Sequence, residues 1–239
     1  MCTAIILSGG LGTRLRSVVP ELPKPLAPIA NRPFLEYLLD YWIEQGVDHF
    51  ILSVGYRHEM LINHFGSSYR GIELSFVIEE TPLGTGGGLL LALQKHNIRS
   101  PFLLLNGDTF FAVELKALIE FFHKNNTDWL FSLFRTDEEK RYMGIEVTQS
   151  GEITKLNSGK NNHRRVANGG VYLVNPRALI EIKKTQGDKV SLEDDIFPTA
   201  LDSGQRLFGM EFNGAFIDIG TPDDYQRAFE VLTEYLPNK

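Results

Sequence analysis

A chain of 239 residues suits one large α/β domain or two small ones and is ample for a sizeable core. With 43% hydrophobic and 23% charged residues it has an ordinary soluble globular composition, and a net charge of −6 without a long basic run argues against nucleic acid and anionic membranes as partners. The lone cysteine, Cys2, excludes an intrachain disulfide and a cysteine zinc cluster. The N-terminus lacks a signal-peptide pattern, and no apolar run approaches the roughly eighteen residues of a membrane span, so a cytoplasmic protein is expected.

The apolar run Thr3–Leu7, stopped by Ser8-Gly9-Gly10, predicts a buried strand. Apolar residues at 34, 35, 38, 39, 42 and 43 have a helical period over Phe34–Gln45, with Gly46 as a C-terminal cap. Strand Phe50–Val54, helix Arg57–Phe65, strand Ile72–Ile78, helix Gly86–His96 and strand Phe102–Leu105 follow, then helix Leu115–His123 and strand Trp129–Phe134. Alternation of this kind implies βαβ units and a mostly parallel sheet. From Gly144 the rhythm changes to short strands, Ile145–Thr148, Ile153–Leu156 and Val171–Val174. Helices near Leu192–Leu201 and Pro222–Tyr235 frame one more strand pair, Leu207–Phe212 and Ala215–Ile219. No linker, repeat or low-complexity stretch interrupts the chain. A single domain over 1–239 is expected, with a nucleotide-binding half over about 1–135 and a co-substrate half over about 136–239.

A strand followed by Gly9-Gly10-Leu11-Gly12-Thr13-Arg14 is a candidate phosphate loop, since glycines let backbone amides approach phosphate oxygens; a plain strand-to-helix turn is the alternative. The dinucleotide fingerprint needs a third glycine where this chain has Leu15, and the Walker pattern needs Gly-Lys-Ser/Thr, so neither applies. What remains is the glycines, the forked guanidinium of Arg14, and Lys24 held between Pro23 and Pro25. Two cations beside such a loop suit a triphosphate.

This run resembles the signature of the sugar-1-phosphate nucleotidyltransferases, a strand, a GGxGTRL loop and then PKP. Later motifs come in that family's order: Pro82-Leu83-Gly84-Thr85-Gly86-Gly87, Asn106-Gly107-Asp108, Asn168-Gly169-Gly170-Val171-Tyr172 and Phe216-Ile217-Asp218-Ile219-Gly220-Thr221-Pro222. The resemblance implies a three-layer, Rossmann-like α/β fold with a mostly parallel mixed sheet. The short length, Pro82–Gly87 and the run Asn106–Phe111 are shared with the D-glycero-D-manno-heptose 1-phosphate guanylyltransferases within it. An appended left-handed β-helix, as in longer bifunctional members, is not expected.

Asp108 follows an apolar strand, where a carboxylate faces the ligand crevice of a parallel sheet. Asp218 has a similar setting. Each alone reads equally well as a loop aspartate; together they form an oxygen-only set suited to Mg²⁺, and the resemblance supports a metal role for both. It likewise implies catalytic roles for Arg14, Lys24 and Asp108, and nucleotide contacts from Leu7, Ser8, Gly9, Gly10, Gly12, Thr13, Glu79, Pro82, Gly84 and Thr85. A carboxylate only accepts hydrogen bonds, and guanine offers two adjacent donors, so Glu79 favours GTP unless it faces solvent. For the sugar phosphate the resemblance implies Asn168, Gly169 and Glu193, against a β-bulge at the first two and a helix start at the third, with Ser191 and Asp194 forming part of a capping box. The family's Glu-Lys pair is incomplete here; Lys160 is the candidate phosphate ligand, with Lys155 or Arg164 as substitutes. The six histidines show no ligand spacing.

The expected reaction is nucleotidyl transfer from a nucleoside triphosphate, GTP first, to a sugar 1-phosphate, heptose first. Mannose, glucose or N-acetylmuramate phosphate with GTP, UTP or dTTP is the alternative. A non-catalytic sensor and a glycosyltransferase are the rivals from other classes; the intact cations and aspartates argue against the first, and a triphosphate cradle against the second. The partners are these small molecules, with a homo-oligomer left open.

Overall fold

The computed structural model describes residues 2–10, 12–136, 142, 144–156, 166–180, 182 and 189–235. In chain order the elements are β1 (Thr3–Ser8), β2 (Pro28–Ile29), β3 (Arg32–Pro33), α1 (Phe34–Glu44), β4 (His49–Val54), α2 (His58–Phe65), β5 (Ser68–Tyr69), β6 (Ile72–Ile78) and α3 (Gly84–Lys95). Then come β7 (Phe102–Asn106), β8 (Thr109–Phe111), α4 (Leu115–Lys124), β9 (Trp129–Arg135), β10 (Gly144–Val147), β11 (Ile153–Leu156), β12 (Val166–Val174), α5 (Phe197–Asp202), β13 (Leu207–Glu211), β14 (Phe216–Asp218) and α6 (Pro222–Leu232).

The parallel strands β7, β1, β4 and β6 lie side by side in that order. On the far side of β7 runs β12, antiparallel to β7 and β9, and β13 adds to β9 in parallel. One edge of β12 is divided. Its Val171–Val174 end pairs with β7, while Val166 and Ala167 pair with β10, which carries β11.

The inner strands β1, β4, β7 and β9 are largely apolar on both faces because helices cover both. Along β1, Ala4 and Ile6 join a core with α1, α2, α4 and α6, while Ile5 joins a second core with α3 and α5. Leu103 and Leu105 alternate with Phe102 and Leu104 in the same way on β7. This is the expected three-layer α/β arrangement around a mixed sheet.

Two expectations change. The strands β13 and β14 do not pair with each other; β13 lies parallel to β9, and β14 pairs antiparallel with β8 in a separate small sheet. The intervening Gly214 runs against β8's exit, where a Cβ would stand 1.9 Å from the Ala112 carbonyl oxygen. The helix over Leu192–Leu201 is a π-helical segment, Leu192–Ile196, continuing into α5. Ser191 caps it through Asp194 N–H as expected, but the reciprocal acceptor for Ser191 N–H is Asp195, because the wider turn moves that position one residue on.

Candidate active site

The chain enters the sheet at β1, steps outward to β4 and β6, and returns to β7 on the other side of β1. Segments leaving the carboxyl ends of β1 and β7 therefore diverge, and open α/β sheets bind ligands at such a point. A cleft of about 420 Å³ lies there, within the range of small-molecule sites.

Leu7, Ser8, Gly9, Gly10, Gly12 and Thr13 line it, as do Arg14, Lys24 and Asp108, and also Glu79, Pro82, Gly84 and Thr85. Residues spread over a hundred positions thus meet in one cavity. Gly107 zips the two strand ends together. Its N–H donates to Leu7 O at 2.9 Å, and a Cβ on it would stand 2.2 Å from Ser8 Oγ.

Lys24 opens a short 3₁₀ turn between its flanking prolines, and its stem runs past Gly12. Its Nζ lies 2.6 Å from Oδ2 of Asp108 in a partly exposed ion pair. Asp218 lies outside the cleft lining but is tied to Asp108 through the backbone, since it stands opposite Thr109 and Ile219 N–H donates to Asp108 O at 2.9 Å. Gly220 separates Asp218 from Arg14. It donates its N–H to Asp218 Oδ1 at 2.6 Å, and a Cβ there would come within 3.6 Å of Arg14 Nη2. Asp108 and Asp218 offer only oxygen donors. No cluster of three or more His, Cys, Asp or Glu able to hold a metal occurs among the described residues, so a cation held by these two carboxylates would need its remaining ligands from phosphate oxygens and water. That donor set fits a hard divalent cation.

Glu79 does not face solvent. It is 8% exposed, its Oε1 accepts from Ser53 Oγ at 2.9 Å and its Oε2 from Leu83 N–H at 3.2 Å.

Neither Asn168, Gly169 nor Glu193 lines the cleft. Glu193 reaches it indirectly, accepting from the hydroxyl of the lining residue Thr85 at 3.0 Å. Asn168 is engaged within its own strand, donating to Tyr172 OH at 2.6 Å and accepting from Gly170 N–H at 3.1 Å. The pairing of β12 with β9 shifts register between Asn168 and Tyr172, so the bulge weighed as the alternative is present. The Tyr172 phenol, fully enclosed, is pushed far above its usual range by burial and, less, by the charge of Glu193.

Lys160 and Arg164 lie outside the described residues. Lys155 pairs with Glu146 at 3.8 Å and does not line the cleft. Besides Lys24, the cleft is lined by Lys189, which sequence reasoning missed. The one signal for it is a cation four residues before Glu193, just ahead of the Ser191 cap. Of the histidines, none among the described residues lines the cleft. Glycine-loop amides, Arg14, Lys24 and Lys189 around one cavity are suited to hold phosphate groups from more than one side.

The nucleotidyl transferase family profile matches residues 3–235. A D-glycero-alpha-D-manno-heptose 1-phosphate guanylyltransferase of Aneurinibacillus thermoaerophilus is 40% identical over 233 residues, 98% of this chain and 99% of that protein. One of Campylobacter jejuni is 33% identical over 225 residues, 93% and 96% of the two chains. The crystal structure of HddC from Yersinia pseudotuberculosis complexed with GMP-PN superposes with a TM-score of 0.80 at 31% identity, covering 96% of this chain and 99% of that one.

Proposed function

The chain belongs to the nucleotidyl transferase family, and from that premise we propose that it transfers a guanylyl group from GTP to D-glycero-α-D-manno-heptose 1-phosphate, releasing pyrophosphate. The observation that carries the reading is the cleft between the ends of β1 and β7, where glycine loop, Arg14, Lys24 and Asp108 meet Glu79.

In the reaction a phosphate oxygen of the sugar 1-phosphate attacks the α-phosphorus in line, and the bond to the β-phosphate bridging oxygen breaks. The nucleophile is an anion at neutral pH, so no general base is required. The task is to bring two anions together and align them, which calls for fixed cations and amides. Arg14 grips phosphate oxygens through its fork, Lys24 supplies a point charge, and the amides of Gly9–Thr13 complete the cradle. Glu79 accepts from guanine N1–H and the 2-amino group. Asp108 and Asp218 would hold a divalent cation, which we assign as Mg²⁺ and which would supply charge neutralisation at the phosphates. Lys24 Nζ, 2.6 Å from Asp108 Oδ2, would turn to phosphate where Asp108 holds the cation.

The sugar phosphate is assigned to Lys160 together with Lys189, and the sugar hydroxyls to Asn168, Gly169 and Glu193. This makes the first half of a single domain the nucleotide subsite and the second half the sugar subsite. The substrates put the protein in the cytoplasm, with its nucleotide pool; no helix among the described residues is long and apolar enough to cross a membrane.

The test is pyrophosphate release by the purified protein with Mg²⁺, each of four nucleoside triphosphates and a panel of heptose, mannose, glucose and N-acetylmuramate 1-phosphates. The expected result is turnover with GTP and the heptose phosphate above all other pairs. No release with any pair refutes catalysis, and a preferred UTP or dTTP refutes the base assignment.

A further inference from the structure

Ser53 is a polar residue at a position where the fold favours an apolar one. It stands in β4 between Leu7 of β1 and Val77 of β6 and is fully buried. Strands enclosed on both faces are near-continuous apolar runs, and its neighbours Phe50, Ile51, Leu52 and Val54 conform. A buried hydroxyl needs a partner. Ser53 Oγ lies 2.9 Å from Glu79 Oε1 and 3.3 Å from the Gly88 carbonyl oxygen, and it has one proton to give. The nearer, charged acceptor takes it.

The surroundings are fitted to the same carboxylate. Leu83 N–H donates to Oε2. Gly88 lies inside α3, where glycine is destabilising relative to alanine, yet a Cβ there would stand 2.8 Å from Oε1 and 2.9 Å from Ser53 Oγ. A Cβ on Gly9 would stand 2.1 Å from Oε1. Each carboxylate oxygen therefore has one lone-pair direction occupied by the protein and capacity left for a second donor from the cleft.

We propose that Ser53 is the positioning residue for base selection: its hydroxyl locks the Glu79 carboxylate so that both oxygens accept from guanine at once. The proposal rests on the assignment of Glu79 to the base. Without the Ser53 hydrogen bond the terminal torsion of Glu79, which is broad and two-fold, is released on one side, and the carboxylate presents one well-placed oxygen instead of two.

The test compares GTP with ITP, which keeps N1–H and lacks only the 2-amino group, using the whole protein with Mg²⁺ and the sugar 1-phosphate the wild type turns over. Ser53→Ala removes the hydroxyl; Ser53→Cys replaces it with a somewhat larger thiol that is only a weak donor. Wild type is expected to favour GTP in kcat/KM by about tenfold or more. In both variants that ratio is expected to fall below about threefold through a raised KM for GTP, with kcat within about threefold of wild type. An unchanged ratio in the variants, or an equal loss on both nucleotides, overturns the positioning role while leaving Glu79 as base reader. A wild-type enzyme that does not discriminate, or a Glu79→Gln variant with the wild-type ratio, overturns the reading of Glu79 and the proposal with it. Should Ser53→Ala fail to fold, Ser53→Cys decides.

Discussion

Replacing Gly9 by alanine sets the glycine loop against Glu79. A Cβ there would sit 2.1 Å from Oε1, 2.5 Å from Cδ and 2.7 Å from Oε2 of that side chain. An ordinary carbon–oxygen contact is about 3.3 Å or longer, so the carboxylate or the loop must yield by about 1 Å. A retreat of that size pulls Glu79 away from its donors, Ser53 at 2.9 Å and Leu83 N–H at 3.2 Å. Overpacking costs about 1–3 kcal/mol, and losing hydrogen bonds to a charged acceptor adds to it, less whatever the carboxylate regains from water in the cleft. A net loss of about 3 kcal/mol lowers Tm by roughly 6–12 °C for a chain of this size. On the substrate side the displaced carboxylate misses the base, and KM for GTP rises about ten- to a hundredfold. Where the carboxylate yields rather than the loop, Arg14, Lys24, Asp108 and the loop amides keep their places and kcat falls less. Differential scanning calorimetry and a pyrophosphate-release assay read the two effects. A Gly9→Ala protein with Tm within about 2 °C of wild type refutes the packing argument, and one destabilised as expected with an unchanged KM for GTP refutes the base-reading role.

Asp108→Asn is expected to reduce turnover by about a thousandfold or more while Tm moves by only a few degrees, because its ion pair with Lys24 is partly exposed and such pairs contribute about 0–1 kcal/mol. Near-normal turnover removes the metal assignment. Lys189→Ala is expected to raise KM for the sugar 1-phosphate about tenfold with KM for GTP little changed; a matched rise in both places the lysine at the nucleotide instead. Burial pushes the Glu36 carboxyl up, but hydrogen bonds from Arg32 and His64, with the charge of Arg32, outweigh it and hold it below its ordinary 4.5. A lowered folded value means stability that is complete above the unfolded value and lost as pH falls through the folded one. The advantage of wild type over Glu36→Gln in urea unfolding is therefore expected in full near pH 7 and to shrink below 4.5. An advantage that grows on acidification contradicts the direction of the shift.

The parts legible in sequence are those carried by contiguous residues. Gly9-Gly10-Leu11-Gly12-Thr13-Arg14 after an apolar run, Pro23-Lys24-Pro25 and Asn106-Gly107-Asp108 declare their backbone geometry and charge locally, and all contribute to one cleft. The strands β1, β4 and β7 are readable because a strand buried on both faces is an apolar run wherever it lies. Pairing was less so. The runs forming β13 and β14 are spaced like a hairpin, and only the room beside β9 and β8 sends them to different sheets.

The alternation of strand and helix patterns, the glycine loop and the order of the motifs determined the α/β class, the phosphate chemistry and the family, because each rests on the periodicity, conformational freedom or charge of residues close in the chain. The tertiary structure alone decided that Glu79 is buried and anchored, that Ser53 anchors it from 26 positions away, and that Lys189 enters the cleft. A serine in a strand and a lysine before a helix carry no local mark of these roles. Their partners are set by strand register and by which helix packs on which face, and those are fixed only when the whole sheet is assembled.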